Sequence, residues 1–127
     1  MQRCFTNVLS EDVDNTALFY QNLLGMTRHF DSDWFVILTH PEVPGLELGV
    51  LQRAHAIVPA SIANAPAGII VTFVVDDCDE VYKRAKSLST EVLQAPTDLF
   101  YGQRRMLLKD PDGTVIDVSS PNAPVDS

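Results

Sequence analysis

Two acidic residues lie inside apolar segments that are typical of β-strands. Asp117 stands between Ile116 and Val118 in the stretch KDPDGTVIDVSS, and Glu47 lies within GLELGV. Because acidic residues are seldom buried without a partner, a carboxylate in a strand either faces solvent or serves a site. There it can ligate a hard divalent cation, pair with a cationic ligand or accept a proton as a general base.

The turn before Asp117 fixes the direction of its side chain. In DPDG, residues 110–113, Pro111 and Gly113 occupy positions that suit a type I turn, so the last two strands are predicted to form a hairpin. Residues two apart in a strand share a face, which places Asp117 with Val115 and Ser119. The opposite face of this strand is predicted to meet the helices.

The same alternation applies to GLELGV. Leu46, Leu48 and Val50 form one face, and Glu47 and Gly49 form the other. Each half of the chain is therefore predicted to offer one carboxylate, at matching positions, to a shared concave surface.

Hydrophobic periodicity predicts the elements that carry these residues. Residues 14–24 and 78–88 have the helical period, and acidic residues open both helices, as the helix dipole prefers. In the first helix the predicted apolar stripe is formed by Ala17, Leu18, Leu23 and Leu24. Apolar runs predict strands at 4–9, 34–39, 46–51, 69–75, 106–108 and 114–118, with weaker strands at 26–30 and 91–93. The fold class is therefore α+β.

The order strand, helix, three strands occurs twice. NVLSEDVD from Asn7 aligns with TFVVDDCD from Thr72 at an offset of 65 residues, and both segments end in an acidic helix entry. Such a short half cannot bury a sheet face alone. The sequence predicts a single domain over 1–127, with one module at about 3–52, a linker at 53–67 and a second module at about 68–120.

The composition narrows the function classes. Nine basic residues stand against seventeen acidic ones, and a net charge of -8 disfavours nucleic acid and anionic membranes as partners. No apolar run approaches the length of a membrane span, and the amino-terminal residues show no export signal, so a cytoplasmic location is expected. Cys4 and Cys78 are expected to stay reduced, and Cys78 is expected to be inert.

Several motifs resemble those of the vicinal-oxygen-chelate superfamily, which includes glyoxalase I, bleomycin-resistance proteins, fosfomycin-resistance enzymes and extradiol dioxygenases. The resemblance covers roughly residues 3–120. It rests on FYQNLLGM at 19–26, VVDDCDEVYKRAK at 74–86, GQRRMLLKDPDG at 102–113 and the doubled element order. It implies two tandem βαβββ modules that form a cupped mixed sheet, often completed in a homodimer.

The resemblance also implies where a metal would bind. Metal-dependent members use one side chain from the first and last strand of each module, usually His, Gln or Glu. These positions fall on Phe5, Glu47, Ile70 and Asp117. Because the side chains of Phe5 and Ile70 cannot donate electrons to a metal, no tightly bound metal and no other cofactor is expected.

The leading hypothesis is a metal-free binding protein that resembles the bleomycin-resistance branch and confers antibiotic resistance by sequestering a small, cationic, aromatic compound. Alternation sends Arg104 and Arg105 to opposite faces; if one of them reaches the cavity and pairs with Asp117, the carboxylate is neutralised and an anionic or neutral ligand becomes possible. The alternatives are a metal-dependent lyase or dioxygenase, a carboxylate general base, and a regulatory or structural dimer. The predicted ligand-binding residues are Phe5, Asn7, Trp34, Glu47, Ile70, Thr72, Tyr101, Arg105 and Asp117.

Overall fold

The computed structural model describes residues 1–122 of the chain. The backbone divides into two compact units, Met1–Pro66 and a second that starts at Ala67. Each unit contains one strand, one helix and three further strands, arranged as a four-stranded mixed sheet with a helix. This confirms the α+β class and the two tandem βαβββ modules.

In the first unit, β1 and β4 are parallel neighbours, and β3 and β2 follow in antiparallel order. The predicted linker contains a short 3-10 turn at Ala60–Ile62. Val58, which precedes this turn in the linker, is buried, and residues up to Pro66 belong to the first unit. The elements are β1 (Thr6–Ser10), α1 (Val13–Leu24), β2 (Thr27–Asp31), β3 (Phe35–His40) and β4 (Val43–Gln52).

The second unit repeats this arrangement. Its sheet has the order β5-β8-β7-β6, with β5 parallel to β8. The elements are β5 (Ile70–Val74), α2 (Cys78–Ser87), β6 (Glu91–Leu99), β7 (Gln103–Lys109) and β8 (Val115–Pro121).

Local interactions set where both helices begin. Asp12 accepts a hydrogen bond from the Asn15 amide at 3.1 Å, and Asp77 accepts from the amides of Asp79 and Glu80. Helix α1 ends at Gly25, whose φ of 71° lies in the left-handed region that glycine adopts easily. The predicted acidic helix entries therefore include the two N-caps.

The face of each sheet that packs on its helix forms the core. In the first unit Leu38 and Val50 are fully buried with Tyr20 of α1, and in the second unit Ile116 and Val118 are fully buried. Because side chains alternate along a strand, Asp117 lies on the opposite face of β8, as predicted.

Strand β6 extends well beyond the predicted residues 91–93. Pro96 lies within it, although proline lacks the N–H that a central strand needs. The strand accommodates Pro96 because β6 is at the edge of its sheet and its register shifts between Gln94 and Thr97. Phe100 and Tyr101 then form the turn into β7.

Neither helix in residues 1–122 has the length and apolar character required to cross a membrane. Both cysteines are free: Cys4 is exposed and Cys78 is buried. Burial raises the pKa of the Cys78 thiol and the nearby Asp79 carboxylate acts in the same direction, which is consistent with an inert thiol.

Candidate functional site

Asp117 and Thr72 are direct neighbours in the second sheet. They are paired across the parallel strands β5 and β8, and the Thr72 hydroxyl donates to Asp117 Oδ2 at 3.3 Å. The other carboxylate oxygen, Oδ1, is buried and has no hydrogen-bond partner within residues 1–122. A buried carboxylate oxygen without a hydrogen-bond partner lowers the stability of the folded chain, so Asp117 is a candidate site residue.

Burial raises the pKa of the Asp117 carboxyl above its ordinary value. The positive charge of Arg105 and the hydrogen bond from Thr72 act against this shift, but burial outweighs them. The folded chain therefore holds the ionised form of Asp117 at a cost in stability.

This cost gives the Asp117→Asn variant a testable pH dependence. A carboxyl whose pKa is raised by folding binds its proton more tightly in the folded chain, so its contribution to stability falls as the pH rises through the raised pKa. We expect Asp117→Asn to be more stable than the unmodified chain at neutral pH, and the difference to shrink in acid. Thermal melts between about pH 3 and pH 8 measure it. A difference that grows in acid would contradict the assignment.

The structure distinguishes Arg104 from Arg105. Arg104 lies on the helix side of β7 and pairs with Asp79 and Asp98, each at 2.9 Å. Arg105 lies on the opposite face, where its Nη2 donates to Gln94 Oε1 at 3.4 Å. Arg105 is therefore on the Asp117 side of the sheet.

The predicted ion pair between Arg105 and Asp117 is not formed. No nitrogen of Arg105 lies within 4.0 Å of an Asp117 oxygen in the described structure, although the arginine charge still lowers the pKa of the carboxyl. Arg105 Nε is itself buried, and it has no hydrogen-bond partner among the described residues. The side chains of Arg105 and Asp117 therefore each have one buried polar atom without a partner among the described residues, Nε and Oδ1 respectively.

Glu47 is not the free negative group that the sequence predicted. Arg3 holds its carboxylate in a fork, with Nε 2.7 Å from Oε2 and Nη2 2.5 Å from Oε1. The hydrogen bonds from Arg3, more than its charge, hold the pKa of Glu47 below its usual range. The Arg3 guanidinium also lies over the Phe5 ring, 4.7 Å from its centre.

Arg3 was missed in the sequence, although one signal was available. It precedes Phe5 by two residues, so an extended backbone places both side chains on one face. The strand predicted from the sequence began at Cys4 and left Arg3 outside it, and in the structure β1 begins only at Thr6.

The two carboxylates also do not occupy matching positions. Asn7 pairs with Gly49 across β1 and β4, whereas Thr72 pairs with Asp117 across β5 and β8. Since Asn7 and Thr72 are 65 residues apart, the repeat aligns Asp117 with Gly49, and Glu47 lies two residues earlier. The prediction of one equivalent acid from each module is therefore wrong, because strand register could not be read from the repeat.

Asn7 makes a close contact with the backbone of β4. A Cβ atom added to Gly49 would lie 2.0 Å from Asn7 Oδ1 and 3.1 Å from Phe35 Cε1. The predicted site residue Asn7 thus lies across Gly49, and only glycine leaves room for it there.

Gly49→Ala is therefore expected to destabilise the chain by about 1–3 kcal/mol, the usual cost of overpacking. Combining it with Asn7→Ala should restore most of the loss, since the atom in the way is removed. Urea unfolding of both single variants and the double variant gives the coupling energy. Additive losses would show that Asn7 is not the obstacle.

Trp34 is half-buried and stacks on His55, with ring centres 4.1 Å apart and planes at 19°. It also lies beside Phe35, at 5.8 Å between centres. The His55 ring in turn accepts a hydrogen bond from the Ile57 amide. These contacts give Trp34 a structural role on the first unit, and its contact with a ligand remains a prediction.

The nine predicted ligand-binding residues are distributed between the two units. Phe5, Asn7, Trp34 and Glu47 belong to the first unit, and Ile70, Thr72, Tyr101, Arg105 and Asp117 belong to the second. Ile70 and Tyr101 are 58% and 57% exposed, so any ligand contact they make is with an open surface. The structure brings together Thr72, Asp117 and Arg105 within one sheet face.

The first unit contains a pocket of about 550 Å³. Its walls are residues 2–4, His29 and residues 39–47 in part, and they include the Arg3–Glu47 pair. His40 lines this pocket, and both of its ring nitrogens have hydrogen-bond partners. Nε2 contacts the Leu24 carbonyl at 3.0 Å, and Nδ1 accepts from the Glu42 amide. This histidine ties the end of α1 to the β3–β4 turn and is not available to a metal.

The residues at the four predicted metal positions do not fit a metal. Phe5 and Ile70 offer only carbon, and Arg3 already occupies both oxygens of Glu47. Within residues 1–122, no group of three or more His, Cys, Asp or Glu side chains is arranged to hold an ion. Asp117 alone has the chemistry of a ligand there.

Comparison with known proteins agrees with this fold. The family model of the Glyoxalase/Bleomycin resistance protein/Dioxygenase superfamily matches residues 5–118. No curated protein sequence matches the chain at a significant level.

Solved structures with the same fold are similar over nearly the whole chain. A protein described as a conserved domain protein is 25% identical, with a TM-score of 0.77, over 96% of this chain and 100% of that one. A superfamily enzyme from Burkholderia phytofirmans PsJN is 19% identical, with a TM-score of 0.77, over 92% and 96% of the two chains. A superfamily member from Sphaerobacter thermophilus DSM 20745 is 20% identical, with a TM-score of 0.76, over 94% and 97%. Because the family model matches most of the chain, the chain belongs to the Glyoxalase/Bleomycin resistance protein/Dioxygenase superfamily.

Proposed function

We propose that this chain binds a small organic ligand, without a metal, on the face of the second sheet that carries Asp117. The observation that supports this is the incomplete hydrogen bonding of the cluster formed by Thr72, Arg105 and Asp117. Asp117 Oδ1 and Arg105 Nε are both buried, and neither has a partner among the described residues. A buried polar atom left unpaired costs about 1–3 kcal/mol, which a ligand can recover.

Apolar side chains frame this polar cluster. Ile70 and Val74 share the outward face of β5 with Thr72, and Leu107 pairs with Asp117 from β7. A mostly apolar surface with a few placed polar groups is how small organic molecules are usually bound. The polar atoms would then orient the ligand, and the apolar surface would supply most of its burial.

Metal independence is tested first. We expect protein purified without chelator to contain no stoichiometric Zn, Ni, Mn or Fe by elemental analysis. We also expect added divalent ions to leave the melting temperature unchanged. One metal per chain, or a saturable rise in melting temperature with one ion, would overturn the metal-free proposal and favour a metal-dependent lyase or dioxygenase.

Ligand binding is tested by thermal shift with glycopeptide and other natural-product antibiotics, because the leading hypothesis from the sequence is a sequestering protein like those of the bleomycin-resistance branch. A ligand at about one hundred times its dissociation constant stabilises by roughly 2.7 kcal/mol. Asp117→Asn should reduce the shift, and Asp76→Asn, an exposed acid of the same unit, should not. An equal shift in all three proteins would remove the Asp117 face from the proposal.

A second candidate function is proton transfer by Asp117. The raised pKa of this carboxyl and its unpaired Oδ1 are properties of a general base. Mass spectrometry and proton exchange of a bound ligand after incubation separate the two candidates. A sequestering protein returns its ligand unchanged, whereas an enzyme alters it or exchanges its protons in a way that Asp117→Asn abolishes.

We also propose that the chain forms a homodimer. In support, β5 is an edge strand whose Ile70 and Val74 are 58% and 68% exposed, an apolar pair that a partner strand or subunit would cover. Light scattering of the purified chain should give twice the mass of one chain. Replacing Val74 with Lys should shift the mass to that of a monomer, and a monomeric unmodified chain would contradict the proposal.

A further inference from the structure

We infer that the Asp117 cluster recognises the neutral edge of a ligand that carries an adjacent hydrogen-bond donor and acceptor, as in a lactam or another cyclic amide. This inference rests on the proposed function and specifies its ligand class. It differs from the cationic ligand that the acidic composition of the chain suggests.

The unpaired atoms define a complementary pattern. Asp117 Oδ1 can only accept a hydrogen bond, and Arg105 Nε can only donate one. A ligand that satisfies both must therefore present a donor to Asp117 and an acceptor to Arg105. A cis-amide edge has one N–H and one C=O side by side, which is this pattern.

The strand register places the two residues on one face of the sheet. Asp117 pairs with Leu107 and Arg105 pairs with Ser119 across β7 and β8, so the two residues are diagonal neighbours. Asp117 is only half-buried, so binding of a ligand to the buried Oδ1 requires the carboxylate to rotate toward the open side of the sheet. An amide edge lying over the diagonal can then bond at both ends.

A third unpaired atom extends the pattern. Gln103 Oε1 is buried without a partner in residues 1–122, and Gln103 lies two residues from Arg105 on the same side of β7. The cluster thus offers a second acceptor beyond the arginine. A ligand with an additional donor would use it.

The charges of Arg105 and Asp117 disfavour both a cationic and an anionic ligand. The positive charge of Arg105 acts on the Asp117 carboxylate, so the cluster carries one charge of each sign. An ammonium group at Asp117 would be repelled by Arg105, and a carboxylate at Arg105 would be repelled by Asp117. A neutral group that bonds to both avoids either repulsion.

The test uses 2-pyridone, a small lactam, as the probe on the full chain. The Arg105 Nε–H signal in nitrogen–proton NMR spectra, identified by its loss in Arg105→Lys, is followed during titration. We expect 2-pyridone to shift this signal with saturation. N-methyl-2-pyridone lacks the donor and should bind at least about tenfold more weakly, as should benzylamine and benzoate.

Variants locate the contacts. Asp117→Leu and Arg105→Leu should each weaken 2-pyridone binding at least about tenfold. Asp117→Asn, which keeps an acceptor oxygen, should retain part of the affinity and serves in place of Asp117→Leu if the leucine variant does not fold. Asp76→Asn should bind as the unmodified chain does.

The outcomes separate this inference from the proposed function. Tighter binding of benzylamine or benzoate than of 2-pyridone, lost in the Asp117 variants, would overturn the neutral edge and leave ligand binding at this face in place. Equal binding of 2-pyridone and its N-methyl form would also overturn the inference. No response of the Arg105 signal to any of these probes at millimolar concentration would overturn the inference, and the thermal shifts of the unmodified, Asp117→Asn and Asp76→Asn proteins would still decide the proposed function.

Discussion

Ile116→Ala is expected to lower the free energy of unfolding by about 2–5 kcal/mol. Ile116 is fully buried on the helix side of β8, so the shortened side chain leaves a cavity that neighbouring core residues fill only in part. Urea unfolding monitored by circular dichroism measures the loss.

Val115→Ala is the matched control, because Val115 precedes Ile116 on the same strand and faces the other way. Val115 is only half-buried, and we expect its truncation to cost less than about 1.5 kcal/mol. Equal losses at the two positions would contradict the face assignment. Since Asp117 shares the face of Val115, that result would also remove Asp117 from the outward face.

Asp110→Ala is expected to destabilise the chain by about 2–4 kcal/mol. Asp110 is 4% exposed, and its Oδ1 accepts from the amides of Asp112 and Thr114 at 2.8 and 3.0 Å. Truncation leaves two backbone donors without a charged acceptor at the turn into β8. Chemical unfolding gives the magnitude.

Asp110→Asn retains an acceptor oxygen with nearly the same shape, and it should recover more than half of the loss. If Asn and Ala were equally harmful, the carboxylate charge and not the acceptor geometry would be the important feature. If neither substitution mattered, the turn would be held by its backbone bonds alone, which include the Gly113 amide to the Asp110 carbonyl at 3.0 Å.

This turn is connected to the candidate site through strand register. The Asp110 turn sets where β8 begins relative to β7, and that register places Asp117 opposite Leu107 and beside Thr72. A shift of one residue would send Asp117 toward the helix. We therefore expect Asp110→Ala to weaken ligand binding as well as stability.

Much of the fold followed from sequence patterns because local periodicity determines which face of an element is apolar. The doubled element order, both helices and the outward face of Asp117 were all predicted correctly. Pattern alone was less successful at Leu18, which the helical period assigned to the buried stripe and which is 43% exposed. The predicted residues Ala17 and Leu23 are fully buried, but the rest of the buried face is formed by Val13, Thr16 and Tyr20, at helical spacing from Ala17, and Leu18 lies outside it.

The contacts of the charged residues were harder to predict, since each depends on a partner far away in the chain. Arg3 and Glu47 are separated by 44 residues, and nothing local to either predicts their pair. Alternation showed that Arg104 and Arg105 face opposite sides, but only the position of α2, with Asp79, determined which one faces the helix.

By itself the sequence determined the two modules, their α+β class, the helix entries and the alternation that turns Asp117 outward, because these depend on neighbours a few residues apart. Tertiary structure alone decided that Glu47 is held by Arg3, that Asp117 aligns with Gly49, and that Arg105 lies near Asp117 without pairing with it. Register and side-chain partners are set by packing between distant strands, and a difference of two residues in register leaves the local pattern unchanged.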